Sequence, residues 1–219
     1  MLMVIYSALL GRYGDRHWWP AETPFEMMIG AILTQNVSWK NASLAISALR
    51  GADLLGPAAL ADAPPGRVSP LLKPARFMNL KAGRIRSFSE WYSREFDSDL
   101  QKMSACETNE LRRRLLGVDG IGKETADCIL LYACGKPVFV VDAYTRRVFG
   151  RLGLTEVAPD YGGLQYFFMK NLPSDVGLYR DYHAQIVQLA KETCRRRPLC
   201  GECPLRRLSS GLRCLSAGP

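Results

Sequence analysis

No stretch of the sequence approaches the ~18 consecutive apolar residues that a membrane-spanning helix needs, and no membrane partner is expected. The apolar opening, residues 1–10, lacks a basic start and a small-residue cleavage site. It runs instead into Gly11-Arg12-Tyr13-Gly14-Asp15-Arg16 and reads as the buried first helix of a cytoplasmic protein. Glycine (19) and proline (13) are too few, and too scattered, for a collagenous or linker-dominated chain. With 47% apolar and 23% charged residues the composition excludes intrinsic disorder. No repeat occurs at solenoid periods. β-Branched density is also scarce: only Val138-Phe139-Val140-Val141 suggests a strand, and it is too short to found a sheet. These absences leave an all-α protein.

Lys and Arg total 29 against 21 Asp and Glu, a net charge of +8. Such a surplus suits a polyanion, because neutralised phosphates release condensed counterions. Of the seven cysteines, Cys106, Cys128 and Cys134 are scattered through apolar or helical stretches and read as core residues. Cys194, Cys200, Cys203 and Cys214 crowd together, as in a metal site of a reducing compartment.

Helical patterns fill most of the chain. Pro24 to Leu33 opens after Thr23, a predicted N-cap with Glu26 as its capping-box partner. Residues 44–49 continue a second helix, and the Ala/Pro/Gly-rich residues 51–70 suggest one short helix between loops. Ile85, Phe88, Trp91 and Tyr92 recur at helical spacing along residues 84–96. Residues 110–116 and 125–133 form two more helices around a glycine turn, Gly117-Val118-Asp119-Gly120-Ile121-Gly122-Lys123-Glu124-Thr125. Gly120 and Gly122 permit positive φ and close backbone approach, Ile121 can plug the turn into the core, and the amides that follow can seat a phosphate. The same spacing also suits an ordinary connection with a glycine C-cap.

The Gly-Ile-Gly turn resembles the helix-hairpin-helix of DNA base-excision glycosylases. Val141-Asp142-Ala143-Tyr144-Thr145-Arg146-Arg147-Val148 resembles that superfamily's catalytic-aspartate segment, and Cys194, Cys200 and Cys203 resemble the start of the iron–sulfur loop of its endonuclease III branch. The resemblance covers nearly the whole chain. By itself, Asp142 before a helix spanning residues 143–152 reads as an N-cap for Thr145. The resemblance implies that the same carboxylate, held ionised at a helix N-terminus, stabilises the oxocarbenium that develops on deoxyribose and orients a water. Bifunctional members carry a Schiff-base lysine two residues after the second glycine. Here that position is Glu124. The adjacent Lys123 lies about 100° around the helix and is expected to face phosphate. Monofunctional hydrolysis is therefore expected. Glu124 either complements the helix dipole or faces the pocket.

Trp18-Trp19-Pro20, Phe25-Glu26 and Gly30-Ala31-Ile32-Leu33-Thr34-Gln35-Asn36-Val37-Ser38-Trp39 resemble a narrower group, the endonuclease III-like 3-methyladenine DNA glycosylases of bacteria. The resemblance implies a slot with Trp18 and Pro20 on one side, Trp39 on the other and Trp19 nearby. It implies that Gln35 fills the gap left in the duplex. The group has phenylalanine where Trp39 stands; Arg76 and Met78 also depart from its pattern. Electron-rich rings reward a cationic alkylpurine, which is already a good leaving group. The bland alternative for the tryptophans is core packing. An oxidised or mismatched pyrimidine substrate, with or without AP lyase activity, is the alternative function. A module that binds damaged DNA without cutting it is a third.

The four clustered cysteines lie within 21 residues, with five, two and ten residues between them, against six, two and five in the family's loop. A [4Fe–4S] cluster is expected, zinc is the alternative, and Cys214 is the irregular fourth ligand. The same segment carries six arginines against one Glu and is expected to meet phosphate as well. His183, on an apolar helical face, reads as a core histidine, and Lys191, one turn before Cys194, aligns by resemblance with a pocket-side lysine of the iron-free relatives, its role left open by the cysteine cluster.

The expected architecture is a two-domain helix-hairpin-helix glycosylase fold with a C-terminal iron–sulfur cluster loop. Residues 20–136 form a six-helix domain; residues 1–19 and 137–219 form a second helical domain, with base pocket and Asp142 in the cleft between them. Gly120, Ile121, Gly122, Lys123, Thr125 and Gln35 are the expected DNA-binding residues, and Trp18, Trp19, Pro20, Trp39 and Glu124 the expected pocket. The partner is double-stranded DNA containing damaged bases, bound by a monomer near the nucleoid.

Overall fold

The computed structural model describes residues 1–154 and 160–208. Among the described residues the α-helices are, in chain order, α1 (Leu2–Tyr13), α2 (Pro24–Leu33), α3 (Trp39–Gly51), α4 (Pro57–Asp62), α5 (Pro65–Val68), α6 (Met78–Phe96), α7 (Leu100–Ala105), α8 (Thr108–Leu116), α9 (Lys123–Cys128), α10 (Ala143–Arg151), α11 (Tyr161–Asn171) and α12 (Val176–Glu192). No strand forms among them. The Val138–Val141 run is buried extended chain.

The chain divides into two compact units, Trp19–Lys136, and Met1–Trp18 with the described residues from Pro137 onward. The adjacent tryptophans Trp18 and Trp19 thus belong to different units.

The Trp19–Lys136 unit is built around α2. Nine of the ten α2 residues are buried, and α3, α6, α9 and the π-helical turn Ile129–Ala133 pack on it. Thr23 caps α2 by accepting a hydrogen bond from Glu26 N at 3.1 Å. Glu26 does not complete the predicted capping box. Its carboxylate takes Arg50 Nη2 at 2.6 Å, tying α2 to the end of α3. α6 buries Ile85, Phe88, Trp91 and Tyr92, the stripe visible in the sequence. The expected six helices are corrected to eight, α2–α9. Pro57 and Pro65 each open a short helix at a position where a missing N–H costs nothing, so residues 51–70 carry two helices rather than one.

In the other unit α1 and α10 pack on α12. Tyr182 Oη donates to Leu2 O at 2.9 Å, and Gln185 Nε2 donates to Gly14 O at 2.6 Å. Phe139 stacks on Phe168 at 4.0 Å between ring centroids, with Tyr179, Tyr182 and Phe149 around them. Aromatic groups arranged edge-to-face and stacked add to their burial energy. This cluster supports the segment from Val138 to Val141 and sets where Asp142 emerges.

Candidate active site

Asp142 begins α10 as its N-cap, the role its position before the helix predicts. Oδ1 accepts from Thr145 N at 2.6 Å and from Thr145 Oγ1 at 2.8 Å. Oδ2 lies 3.6 Å from His183 Nε2. Asp142 is 8% exposed and His183 5%. Burial pushes the Asp142 carboxyl upward, but His183 and the two Thr145 donors outweigh it, so the group is held below the ordinary aspartate value. The carboxylate is anchored through one oxygen and faces a histidine with the other.

Sequence reasoning left His183 as a core residue. It is in the core, but in contact with Asp142, 41 positions away, and a contact between α10 and α12 leaves no local pattern. Two further turns along α12 stands Lys191, the residue that the resemblance aligns with a pocket-side lysine. Its Nζ stands 5.9 Å from the Trp18 ring centroid and 6.0 Å from that of Tyr144. Burial lowers its basicity, Asp142 opposes this and Arg16 adds to it, for a net downward shift. One unit therefore assembles Asp142, Thr145, His183, Tyr144, Lys191 and Trp18.

The other unit holds the glycine turn and the remaining predicted aromatics. Gly120 has φ +77°, and a Cβ there would come within 2.3 Å of Arg84 Cγ, so the turn requires glycine for both conformation and space. Gly122 has φ −91° and open space around it, leaving its backbone approachable. Ile121 is buried, as a plug should be, whereas Lys123 and Glu124 are exposed. Thr125 is buried and accepts from Gln35 Nε2 at 3.0 Å. The same Nε2 donates to Gly120 O at 2.9 Å, and Arg84 Nη1 donates to Gln35 Oε1. The predicted gap-filling residue is thus docked on the predicted phosphate turn. A bidentate pair, Arg112 Nε to Asp127 Oδ1 at 2.6 Å and Nη2 to Oδ2 at 3.0 Å, clamps α8 to α9 on either side of that turn.

Trp19 meets Trp39 edge-on at 5.3 Å and Tyr132 at 5.5 Å. A Cβ on Gly30 would approach the Trp19 and Trp39 rings to 3.3 and 3.4 Å, so this glycine makes room for two indoles. Trp18, Trp19 and Trp39 are half-buried and Pro20 is exposed. None of the three tryptophans is sealed in a core. Tyr132 was not anticipated because it looks like any residue of a buried helix.

Lys81, 1% exposed, sends Nζ to Leu33 O at 2.6 Å and Ala75 O at 2.8 Å. Burial, with the Arg84 charge, pushes this amine down to about 8. It joins the loop carrying Gln35 to the one in which Arg76 and Phe77 both adopt positive φ. That second loop leaves Phe77 60% exposed. The unfavourable conformation of two consecutive non-glycine residues was not legible in the sequence.

Cys194, Cys200 and Cys203 line one pocket with Val148, Leu152, Leu189 and Leu205. Arg151 Nη1 reaches Cys194 Sγ at 3.4 Å, and its guanidinium also donates to Arg195 O and Arg196 O. Arg147 donates to Ala190 O and Cys194 O, both at 2.9 Å, capping the end of α12. These two arginines hold the cysteine loop. Among the described residues no group of three or more His, Cys, Asp or Glu is arranged to hold a metal ion. Cys214 lies outside the described residues. No helix among them is long and apolar enough to cross a membrane.

The family model described as HhH-GPD superfamily base excision DNA repair protein matches residues 29–174. A Methanocaldococcus jannaschii protein named "Putative DNA repair glycosylase MJ1434" is 43% identical over 207 residues, 94% of each chain. Among solved structures, H. pylori 3-methyladenine DNA glycosylase (MagIII), bound to 1,N6-ethenoadenine, matches with TM-score 0.75 at 31% identity, over 87% of this chain and 95% of its own. A non-covalent endonuclease III–DNA complex matches with TM-score 0.80 over 98% and 94% of the two chains, at 18% identity, a likeness of fold. Asp142 and the Gly120–Gly122 turn fall inside the matched region, and the chain belongs to the HhH-GPD superfamily of base excision repair DNA glycosylases.

Proposed function

We propose that this protein is a monofunctional glycosylase that hydrolyses the N-glycosidic bond of a flipped alkylated purine such as 3-methyladenine. The observation that carries the reading is the carboxylate of Asp142, anchored by Thr145 through Oδ1 and held ionised. As the base departs, positive charge grows on the sugar. A fixed anion that needs no reorganisation stabilises that charge and orients the water that adds to C1′. His183, at Oδ2, keeps the carboxylate from rotating away.

DNA is held by backbone amides of the Gly120–Lys123 turn and by Lys123. Gln35 leaves its seat on Gly120 to fill the gap, and Phe77 supplies the apolar wedge that unstacking requires. Trp18, Trp19, Trp39 and Pro20 provide faces for the extruded base, a cation being favoured over electron-rich rings. Similarity to MagIII supports an alkylpurine, since that relative is named for 3-methyladenine. At the position two residues after Gly122 stands Glu124, which cannot form an imine.

The test is a panel of duplexes with single lesions, followed by alkali to reveal abasic sites. Release of 3-methyladenine with no borohydride-trapped adduct is expected. Release of thymine glycol or mismatched thymine with no alkyladenine release favours the pyrimidine reading, and a protein inert on every lesion favours a binding module.

Cys194, Cys200 and Cys203 border one apolar pocket with a guanidinium beside one sulfur, a donor set whose chemistry suits a sulfur-ligated group although the described residues do not gather the thiols as ligands. Cys194, Cys200 and Cys203 would hold it, with Cys214 the fourth candidate. A [4Fe–4S] cluster held there would supply a cross-link between the end of α12 and the loop rather than redox catalysis. Anaerobically purified protein is expected to be brown and to bleach on oxidation; a colourless preparation with stoichiometric zinc rejects the cluster.

A further inference from the structure

Gln35, half-buried on the loop after α2, uses both ends of its carboxamide inside the Trp19–Lys136 unit. Nε2 donates to Gly120 O at 2.9 Å and to Thr125 Oγ1 at 3.0 Å, and Oε1 accepts from Arg84 Nη1. A side chain that is to fill a gap in DNA must give up all three bonds. Two of them end on the glycine turn and the start of α9. The third comes from Arg84 on α6, a residue the glycosylase reading does not use.

The surroundings of Arg84 fix that third bond. Its stem lies across Gly120, where any Cβ would collide with Cγ, Cδ and Nε, so the guanidinium ends beside the turn on which Gln35 rests. One turn earlier on α6, Lys81 Nζ donates to Leu33 O at 2.6 Å and to Ala75 O at 2.8 Å. Lys81 thereby pins the backbone that leads into Gln35, and the Gln35 side chain is the part left to swing. A carbonyl oxygen held by a charged donor loses more on leaving than one held by a neutral donor. A side chain stowed in this way is available to DNA only for the fraction of time it is released, and its apparent affinity falls by that fraction.

We propose that Arg84 is a positioning residue that keeps Gln35 stowed on the glycine turn until DNA offers a gap. This rests on the reading in which Gln35 fills the duplex. At an intact pair, insertion has to overcome unstacking as well as the loss of the three bonds, and it is suppressed. Where a pair is already open only the bonds remain to be broken, and insertion goes forward. The hold also lowers affinity for the gap itself, and that loss is measurable.

The test compares equilibrium binding to two otherwise identical duplexes, one intact and one carrying a tetrahydrofuran abasic-site analogue, so no base release is needed. The ratio of the two affinities cancels changes in phosphate contact common to both. In Arg84→Met the preference for the abasic duplex is expected to rise about fivefold, whereas a merely damaged interface would lower it. Thr125→Val takes a partner from Nε2 while leaving Arg84 in place, and is expected to move the preference the same way. In Gln35→Ala the preference is expected to fall, and adding Arg84→Met is expected to change it no further. An unchanged or lowered preference in Arg84→Met or in Thr125→Val overturns the proposal, as does an equal rise when Arg84→Met is made in Gln35→Ala. If Gln35→Ala keeps the wild-type preference, the gap-filling reading itself fails. If Gln35→Ala loses the preference while Arg84→Met leaves it unchanged, only the latch fails.

Discussion

Asp142→Asn is expected to slow base release by about 10²–10³-fold while DNA affinity changes little. The carboxamide oxygen still accepts from Thr145 N and Oγ1, and asparagine caps helices as well as aspartate, so α10 keeps its start. What disappears is the negative charge under the sugar. The readout is a single-turnover rate on a 3-methyladenine duplex beside a binding isotherm on the same DNA. A variant that releases base within threefold of wild type would show that the charge is not used.

The same carboxylate predicts a pH dependence of stability. Its folded value is depressed below the ordinary aspartate value of 3.8. The ionised form is favoured by the fold, so its contribution is fully present above that value and is lost as pH falls through the lower folded value. At neutral pH nothing from Asp142 titrates. Its contribution to the melting temperature is therefore expected to be flat down to about pH 4 and to fall below it, and Asp142→Asn should remove that part of the acid slope.

The second large effect is on stability. Asp127 has no exposed side-chain surface, and both its oxygens take Arg112, whose own side chain is a quarter exposed. Asp127→Ala leaves the guanidinium without this bidentate partner at the boundary of the interior. Breaking such a pair from one side costs about 3 kcal/mol, which in a chain of this size lowers the melting temperature by roughly 6–12 °C. Because the pair joins the helices that flank Gly120, affinity for undamaged duplex DNA should weaken in the same variant. Replacing both partners, Arg112→Met with Asp127→Leu, is expected to recover much of the stability. If the double variant is as unstable as Asp127→Ala, the clamp is not the cause.

Elements that depend on a few neighbouring residues were legible in the sequence. Thr23 and Asp142 cap the helices they precede, Ile121 plugs the turn, and Gly120 adopts the positive φ its position suggested. Each rests on spacing within one turn of chain. The all-helical class followed from 3.6-residue periodicity. What escaped lies across tertiary contacts: His183 on Asp142, Tyr132 on Trp19, and Arg147 and Arg151 turned inward onto the cysteine loop. A histidine packed among apolar side chains and one that faces a carboxylate look identical along one helix, since only the facing helix tells them apart. The two short proline-led helices did carry a local signal, proline at the first helical position, which the Ala/Gly-rich composition obscured.

One unit runs through the chain without interruption from Trp19 to Lys136, while the other is stitched from Met1–Trp18 and the portion after Pro137. During synthesis the first can condense as soon as its own residues leave the ribosome. α1 is made ahead of that unit, yet Leu2 and Gly14 meet their hydrogen-bonding partners, Tyr182 and Gln185, only after some 170 further residues are made. Its apolar face must wait uncovered for most of translation, a long-range closure that is intrinsically slow and open to chaperones. Asp142 belongs to that later-finishing half, so its setting on α10 is complete only once α1 and α10 have both closed onto α12.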